Sequence, residues 1–275
     1  MSDTSVGTAD VVPNNEPMQD LAEVLFQYVI SLYCQPRGKR PVHAGTAVLL
    51  RAHGRDFLVS AAHVLSAPKG LFYYVSPNVK RTLSGRLLRS KPVAGETSDL
   101  IDIATLMLQA PGLPPYPDVE KLSGDAVTLI GDETALLDDD IYLATGMPKS
   151  RSHANPKTNQ IKVEAFSLVS QKAPQSTYQS LKLNPDHHLA LVLERAESTE
   201  LNGSSRVFPD PDGMSGSPVW RLPSKTNGLL LPQLVAILIE FHKTERALVA
   251  TRIRQVARQM AALVVEQRSQ RDIAT

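Results

Sequence analysis

The sequence holds a single cysteine, Cys34, so no intramolecular disulfide can form. A chain that dispenses with disulfides suits a reducing compartment, and a cytoplasmic protein is expected. Cys34 itself, in Ser-Leu-Tyr-Cys-Gln, reads as a buried strand residue rather than a reactive thiol. The opening run, Met1-Ser2-Asp3-Thr4-Ser5-Val6-Gly7, has no basic stretch followed by an apolar one, so no secretory signal is expected. No apolar run approaches the roughly 20 residues that a membrane-spanning helix needs. Excess charge is missing too: 29 basic residues face 28 acidic ones. Phosphate binding needs clustered Lys and Arg, so neither nucleic acid nor a membrane is expected as a partner. Metal ligation has only the adjacent pair His187-His188 to draw on. Successive strand side chains point to opposite faces, and no cysteine or carboxylate pattern surrounds the pair. No metal and no cofactor are expected.

What is present points to β structure. The 275 residues can bury a full core and allow one or two domains. Proline outnumbers glycine, 20 to 15, and the apolar runs are short and punctuated. Residues 1–16 are polar and aperiodic and read as a disordered tail. A short helix over 17–25, starting near Pro17, leads into a strand at 27–33. Residues 45–50 and 57–60 flank His53-Gly54-Arg55-Asp56 as a hairpin. Further strands are expected at 72–75, 82–88, 100–108 and near 127–130, with a stiff proline-rich connector at 111–117. Ile141–Pro148 reads as a strand ending in Gly-Met-Pro, and 149–159 as a polar, mobile stretch. Strands follow at 161–169, 188–193, 217–220 and 234–242, the last joined by a turn at 243–246 to a strand at 247–251. The acidic run Asp138-Asp139-Asp140 reads as a solvated loop. From Ile253 onward the period changes. Ile253, Val256, Ala257, Met260, Ala261, Val264 and Val265 recur at helical spacing with polar residues between them, an amphipathic helix expected to dock on the body.

The chemistry concentrates in Pro209-Asp210-Pro211-Asp212-Gly213-Met214-Ser215-Gly216-Ser217-Pro218-Val219-Trp220. Ser215 sits among small, turn-forming residues, so the N–H groups of Gly213 and Ser215 are free to point at one spot, as an oxyanion hole requires. Upstream, His63 ends the apolar run Phe57-Leu58-Val59-Ser60-Ala61-Ala62, and Asp102 lies in Ser98-Asp99-Leu100-Ile101-Asp102-Ile103-Ala104. Asp99 competes with Asp102, but an acid with apolar neighbours on both sides makes little sense unless it is paired. A serine hydroxyl becomes nucleophilic when a neighbouring imidazole takes its proton, and a carboxylate on the other ring nitrogen fixes the tautomer. His43, His53, His153 and His242 fall near turns or strand ends and read as solvated. An α/β-hydrolase is excluded: its elbow needs glycine where Ser217 stands, and its acid and histidine would have to follow the serine.

Histidine before Asp-Ile-Ala before Gly-Xaa-Ser-Gly-Xaa-Pro, in that order, resembles the trypsin-like (chymotrypsin-fold) serine peptidase family, over most of the chain. The resemblance implies an all-β fold of two six-stranded antiparallel β-barrels with a C-terminal α-helix. It divides the chain into a tail (1–16), an N-terminal barrel carrying His63 and Asp102 (17–135), a C-terminal barrel carrying Ser215 (136–251) and a helix with its tail (252–275). It implies a serine endopeptidase: Ser215 as nucleophile, His63 as base and then acid, Asp102 as orienting carboxylate, and Gly213 and Ser215 as the oxyanion hole. It suggests a bacterial cytosolic member with a protein or peptide substrate and restricted or gated activity, as in a defence operon. A protease fold kept only for binding is the alternative. Two departures stand out. Animal trypsins carry an aspartate just before the nucleophile, which pairs with a newly cut N-terminus; here that residue is Met214, so the loop is expected to be preformed or ordered by an activating partner or an oligomer. The strand lining the specificity pocket usually carries serine and glycine, where this chain has Ile239 and Phe241, expected to narrow the pocket. Asp210 falls close to the pocket floor and hints at basic residues before the cleaved bond.

Overall fold

The hairpin around His53-Gly54 sets the register of the first sheet. β1 (Val29–Cys34) pairs with β2 (Val42–Ala52), which pairs in turn with β3 (Arg55–Ala61), Val48 opposite Val59 and Ala52 opposite Arg55. His53 and Gly54 both have positive φ, +52° and +70°. That is the conformation of a type I′ turn, whose twist matches its flanking strands. Arg55 and Asp56 therefore belong to β3 rather than to the turn. The computed structural model describes residues 21, 23–35, 40–66, 70–76, 79–92, 99–108, 140–154, 161–193, 208–222 and 232–274.

The short helix α1 (Ala62–Leu65) follows β3 directly, and β4 (Phe72–Ser76), β5 (Val79–Thr82), β6 (Gly85–Arg89) and β7 (Ile103–Leu108) complete the sheet, ordered β5-β4-β1-β2-β3-β7-β6. This sheet has seven strands where six were expected, because the chain pairs back on itself between Phe72 and Thr82. Its edge strands β5 and β6 are joined by Leu83 and Ser84 alone, so the sheet curls until those ends lie within about 11 Å. The strand expected over 100–108 begins only at Ile103, since the preceding residues form the loop that presents Asp102.

The second half begins with β8 (Ile141–Gly146). Beyond it β9 (Ser152–Ala154) stands within the stretch expected to be mobile and pairs through its backbone with β10 (Ile161–Val163), where a strand was expected. Then come β11 (Phe166–Gln171), the helix α2 (Gln175–Ser180), β12 (His188–Val192), β13 (Pro218–Leu222), β14 (Gln233–His242) and β15 (Ala247–Arg252). The six-stranded sheet runs β11-β8-β13-β14-β15-β12. Its edges meet through a Lys172–Leu191 bridge and the hydrogen bond from Ala173 N–H to Ala190 O at 2.8 Å, which closes a barrel.

The terminal helix α3 (Ile253–Ala274) seals the joint between the sheets. Its Ile253, Val256, Met260, Leu263 and Val264 share one apolar cluster with Val48, Phe57 and Met107 of the first sheet and Leu143, Trp220 and Ile237 of the second. The buried stripe is narrower than expected: Ala261 and Val265 face solvent, and Leu263 takes the inward place. Cys34 is half-buried at the end of β1, not buried, because the strand stops there. Asp140 is buried, not solvated, and lies 3.6 Å from Arg221 Nη1. The tail at 1–16, the connector at 111–117, the strand near 127–130 and Asp138-Asp139 lie outside the described residues, as does part of the first expected helix.

Candidate active site

β3 runs into α1 without a loop, so His63 stands one turn beyond a fully buried strand end. The Asp102 loop comes up beside it through β7, the neighbour of β3. Asp102 Oδ2 lies 2.5 Å from His63 Nδ1, and Oδ1 accepts the His63 backbone N–H at 2.9 Å. Ala62 N–H donates to Asp102 O at 2.8 Å. One carboxylate therefore fixes both the ring and the main chain of the histidine. Its hydrogen bond raises the His63 pKa above the usual imidazole value, burial opposes the rise, and the charges of Asp102 and Glu240 add to it. Asp99, the competing acid, faces away: it accepts from Ser90 Oγ and from Ile101 N–H, shaping the loop. Asp102 has φ of +42°, a left-handed conformation in which a side-chain-bearing residue is strained and persists only when its surroundings hold it.

The Ser215 turn is built from hydrogen bonds that decide which way its peptides face. Met214 N–H donates to Pro211 O at 2.9 Å across a β-turn whose third residue, Gly213, has φ of +92°. A type II turn requires that conformation and glycine supplies it. In a trans peptide the C=O and N–H point in opposite directions. Asp212 O is held by Lys149 N–H at 2.7 Å, so the N–H of Gly213 faces the other way; Met214 O is held by Ser217 N–H at 2.9 Å, which turns the N–H of Ser215 likewise. Neither N–H has a hydrogen-bond partner among the described residues, so both are open to an incoming oxygen. From the first sheet, Thr46 clamps the turn: its N–H donates to Ser215 O at 2.9 Å and its hydroxyl to Gly213 O at 3.0 Å. Gly216, with φ of +93°, packs so closely that a Cβ would fall 1.9 Å from Thr46 O. Met214 is fully buried among Tyr142, Phe166 and Phe208, an apolar anchor for the turn.

The Ser215 hydroxyl donates to Ile239 O at 3.2 Å, and no hydrogen bond joins it to His63. A cavity of about 230 Å³ opens beside Ser215, lined by Asp210, Pro211, Asp212, Gly213, Leu238, Glu240 and Phe241. Asp210 is exposed on its wall rather than sunk in a floor, and its carboxylate accepts from Asp212 N–H. Phe241 lines the cavity as expected; Ile239 does not. A bulge in β14 between Leu238 and Glu240 sends the Ile239 side chain into the apolar cluster with Ala61, Ala62 and Val64. His43, expected to be solvated, is buried directly behind Gly213, whose added Cβ would lie 2.7 Å from its Nδ1. Burial pushes its pKa down to about 4, so it is neutral near pH 7. Of the other histidines expected in solvent, His53 is exposed at its turn and His242 sits 3.1 Å from Glu240, while the His153 side chain lies outside the described residues.

No protein-family model and no curated protein sequence matches the chain. Among solved structures, an inactivated protease paralogue of the scabies mite, S-I1, is similar over 87% of this chain and 95% of its own, with a TM-score of 0.52 and 15% identity. The chain has a chymotrypsin-like protease fold. In this structure His63 and Asp102 come from the first sheet and the Ser215 turn from the second. The residues that sequence reasoning missed are the supports: Thr46, Lys149, Ser90 and His43. Apart from Ser90, whose partners lie 9 and 13 residues on, their partners are distant in sequence, and no local pattern marks them.

Proposed function

We propose that the chain is a serine endopeptidase that cleaves a protein or peptide substrate through an acyl-enzyme intermediate. The observation that carries this reading is the pair of N–H groups at Gly213 and Ser215 with no partner among the described residues, held in place by the neighbouring hydrogen bonds. A turn with no chemical task gains nothing from leaving two donors open. The Ser215 hydroxyl leaves Ile239 O, turns to His63 Nε2 and attacks the substrate carbonyl carbon as Nε2 takes its proton. Asp102 accepts from Nδ1–H and stabilises the imidazolium. The carbonyl oxygen, now an anion, accepts from Gly213 and Ser215, each donor supplying a few kcal/mol (~3) in the transition state. The amine leaves with the proton from Nε2, and a water activated by the same nitrogen releases the acid and restores Ser215. With Met214 buried where the family's aspartate would stand, the turn needs no newly cut N-terminus. The sole cysteine suits action in the cytoplasm, where narrow specificity or gating protects other proteins.

A second reading, a protease fold that only binds, has one observation in its favour: Ser215 is hydrogen-bonded to Ile239 O and not to His63. A fluorophosphonate probe separates the two. Labelling of the wild type that disappears in Ser215→Ala is the result expected. An unlabelled wild type, folded and at a pH where His63 is neutral, favours the binding module.

A further inference from the structure

The loop that delivers Asp102 is tied down by the opposite half of the molecule. Leu100 and Ile101 present their carbonyls to the second sheet, where His188 Nε2 lies 2.8 Å from Leu100 O and the Thr251 hydroxyl donates to Ile101 O. His188 opens β12 and is 2% exposed, although the catalytic scheme above gives it no task. Both ring nitrogens face carbonyls: Nδ1 lies 3.1 Å from Asn184 O and Nε2 2.8 Å from Leu100 O. Asn184 O already accepts the backbone N–H groups of His187 and His188, each at 2.9 Å, and the contact to Leu100 O is the shorter, so the ring is assigned the tautomer whose Nε2–H donates to Leu100 O. No other described residue donates to Leu100 O. Two residues further on stands Asp102 with φ of +42°, a conformation that needs support from outside the loop.

We infer that His188 is a positioning residue: through its hydrogen bond to Leu100 O it holds the Asp102 carboxylate against His63, so that the second sheet sets the geometry of the acid–base pair in the first. His188 does not line the cavity, and its ring is hydrogen-bonded to neither Ser215 nor His63. Its effect passes through three loop residues. The inference rests on the endopeptidase reading only for its consequence in catalysis; the placement of Asp102 is measurable without activity.

The test is an NMR titration of the His63 ring in the full chain, with fluorophosphonate labelling and thermal unfolding run on the same samples. The wild type is expected to titrate above the ordinary value of 6.5 because of Asp102. In His188→Leu the titration should fall toward 6.5 and the downfield Nδ1–H resonance should weaken, with labelling slowed on the order of tenfold or more. His188→Gln, which can offer its amide N–H to Leu100 O, should restore both signals. His188→Asn is too short to reach Leu100 O; it should behave as leucine does, and it serves if the leucine variant does not fold. A folded His188→Leu or His188→Asn protein whose His63 titrates as in the wild type would overturn the inference, and so would glutamine behaving like leucine. If the wild type is not labelled but the titration moves as stated, the endopeptidase reading fails and the positioning role stands.

Discussion

The Ser215 turn and the Asp102 loop each take support from both halves of the molecule, but by different means. The Ser215 turn is locked through the main chain: Lys149, Ser217 and Thr46 hold the carbonyls of Asp212, Met214 and Ser215 by backbone N–H groups, and Met214 is sunk in an apolar pocket. The Asp102 loop has main-chain bonds too, from Ala62 N–H to Asp102 O and from Ser90 N–H to Ile103 O, but it leans more heavily on side chains. Ser90, Thr251 and His188 bind its carbonyls, its main chain is strained at Asp102, and its product is a single ion-pair geometry with His63. Main-chain locks survive most substitutions, because every residue but proline brings an N–H. Side-chain locks fail one substitution at a time. The oxyanion hole should therefore be the robust part of this site and the acid–base pair the fragile one.

The largest effect should come from breaking the fragile side directly. Asp102→Asn keeps the shape but allows the wrong ring tautomer, and it should slow fluorophosphonate labelling by about 10⁴-fold. The His63 titration should drop in the same variant, since its first cause of elevation is the hydrogen bond to Asp102. Gly213→Ala attacks the robust side at a point where the backbone cannot accept a side chain. The new Cβ would lie 2.7 Å from His43 Nδ1 and 2.8 Å from Lys149 N, at a φ of +92° that alanine disfavours. Turning that peptide removes one donor, and labelling should slow by about 10² to 10³-fold. Here the His63 titration should stay at the wild-type value. If it moves as well, the two regions are coupled more tightly than their separate supports imply.

The same difference explains what could be read from the sequence. Gly213, Ser215 and Gly216 were legible because a tight turn needs glycine at fixed offsets, and His63 because it ends an apolar strand. Asp102 was legible because Asp-Ile-Ala resembles the family's pattern, and because an acid between two isoleucines needs a partner nearby. What could not be read is long-range. His43 looks like any polar residue near a strand start, yet it is buried behind a turn 170 residues away in sequence. His188 looked like half of a histidine pair, and nothing local says that its ring spans the joint to Leu100. Ile239 was misplaced for a subtler reason. Simple alternation puts it in line with the cavity, but the bulge after Leu238 shifts the register and sends it into the core.

The smallest expected effect tests whether the acid–base pair senses charge from the other sheet as well as hydrogen bonds. Glu240, on β14, is the last of the groups that raise the His63 pKa, and its side chain is 61% exposed. An exposed carboxylate is screened by solvent and salt, and it also shares its charge with His242 at 3.1 Å. Only neutral His63 can accept the serine proton, so a raised pKa moves the acidic limb of the labelling profile to higher pH. Removing a raising charge does the reverse. Glu240→Gln should thus shift that limb slightly to lower pH, with the plateau rate kept. The shift should be clearest at low ionic strength and fade as salt is added. A shift that persists in high salt would mean that Glu240 acts through contact rather than through its field, and that the fragile half of the site has one more support than its hydrogen bonds reveal.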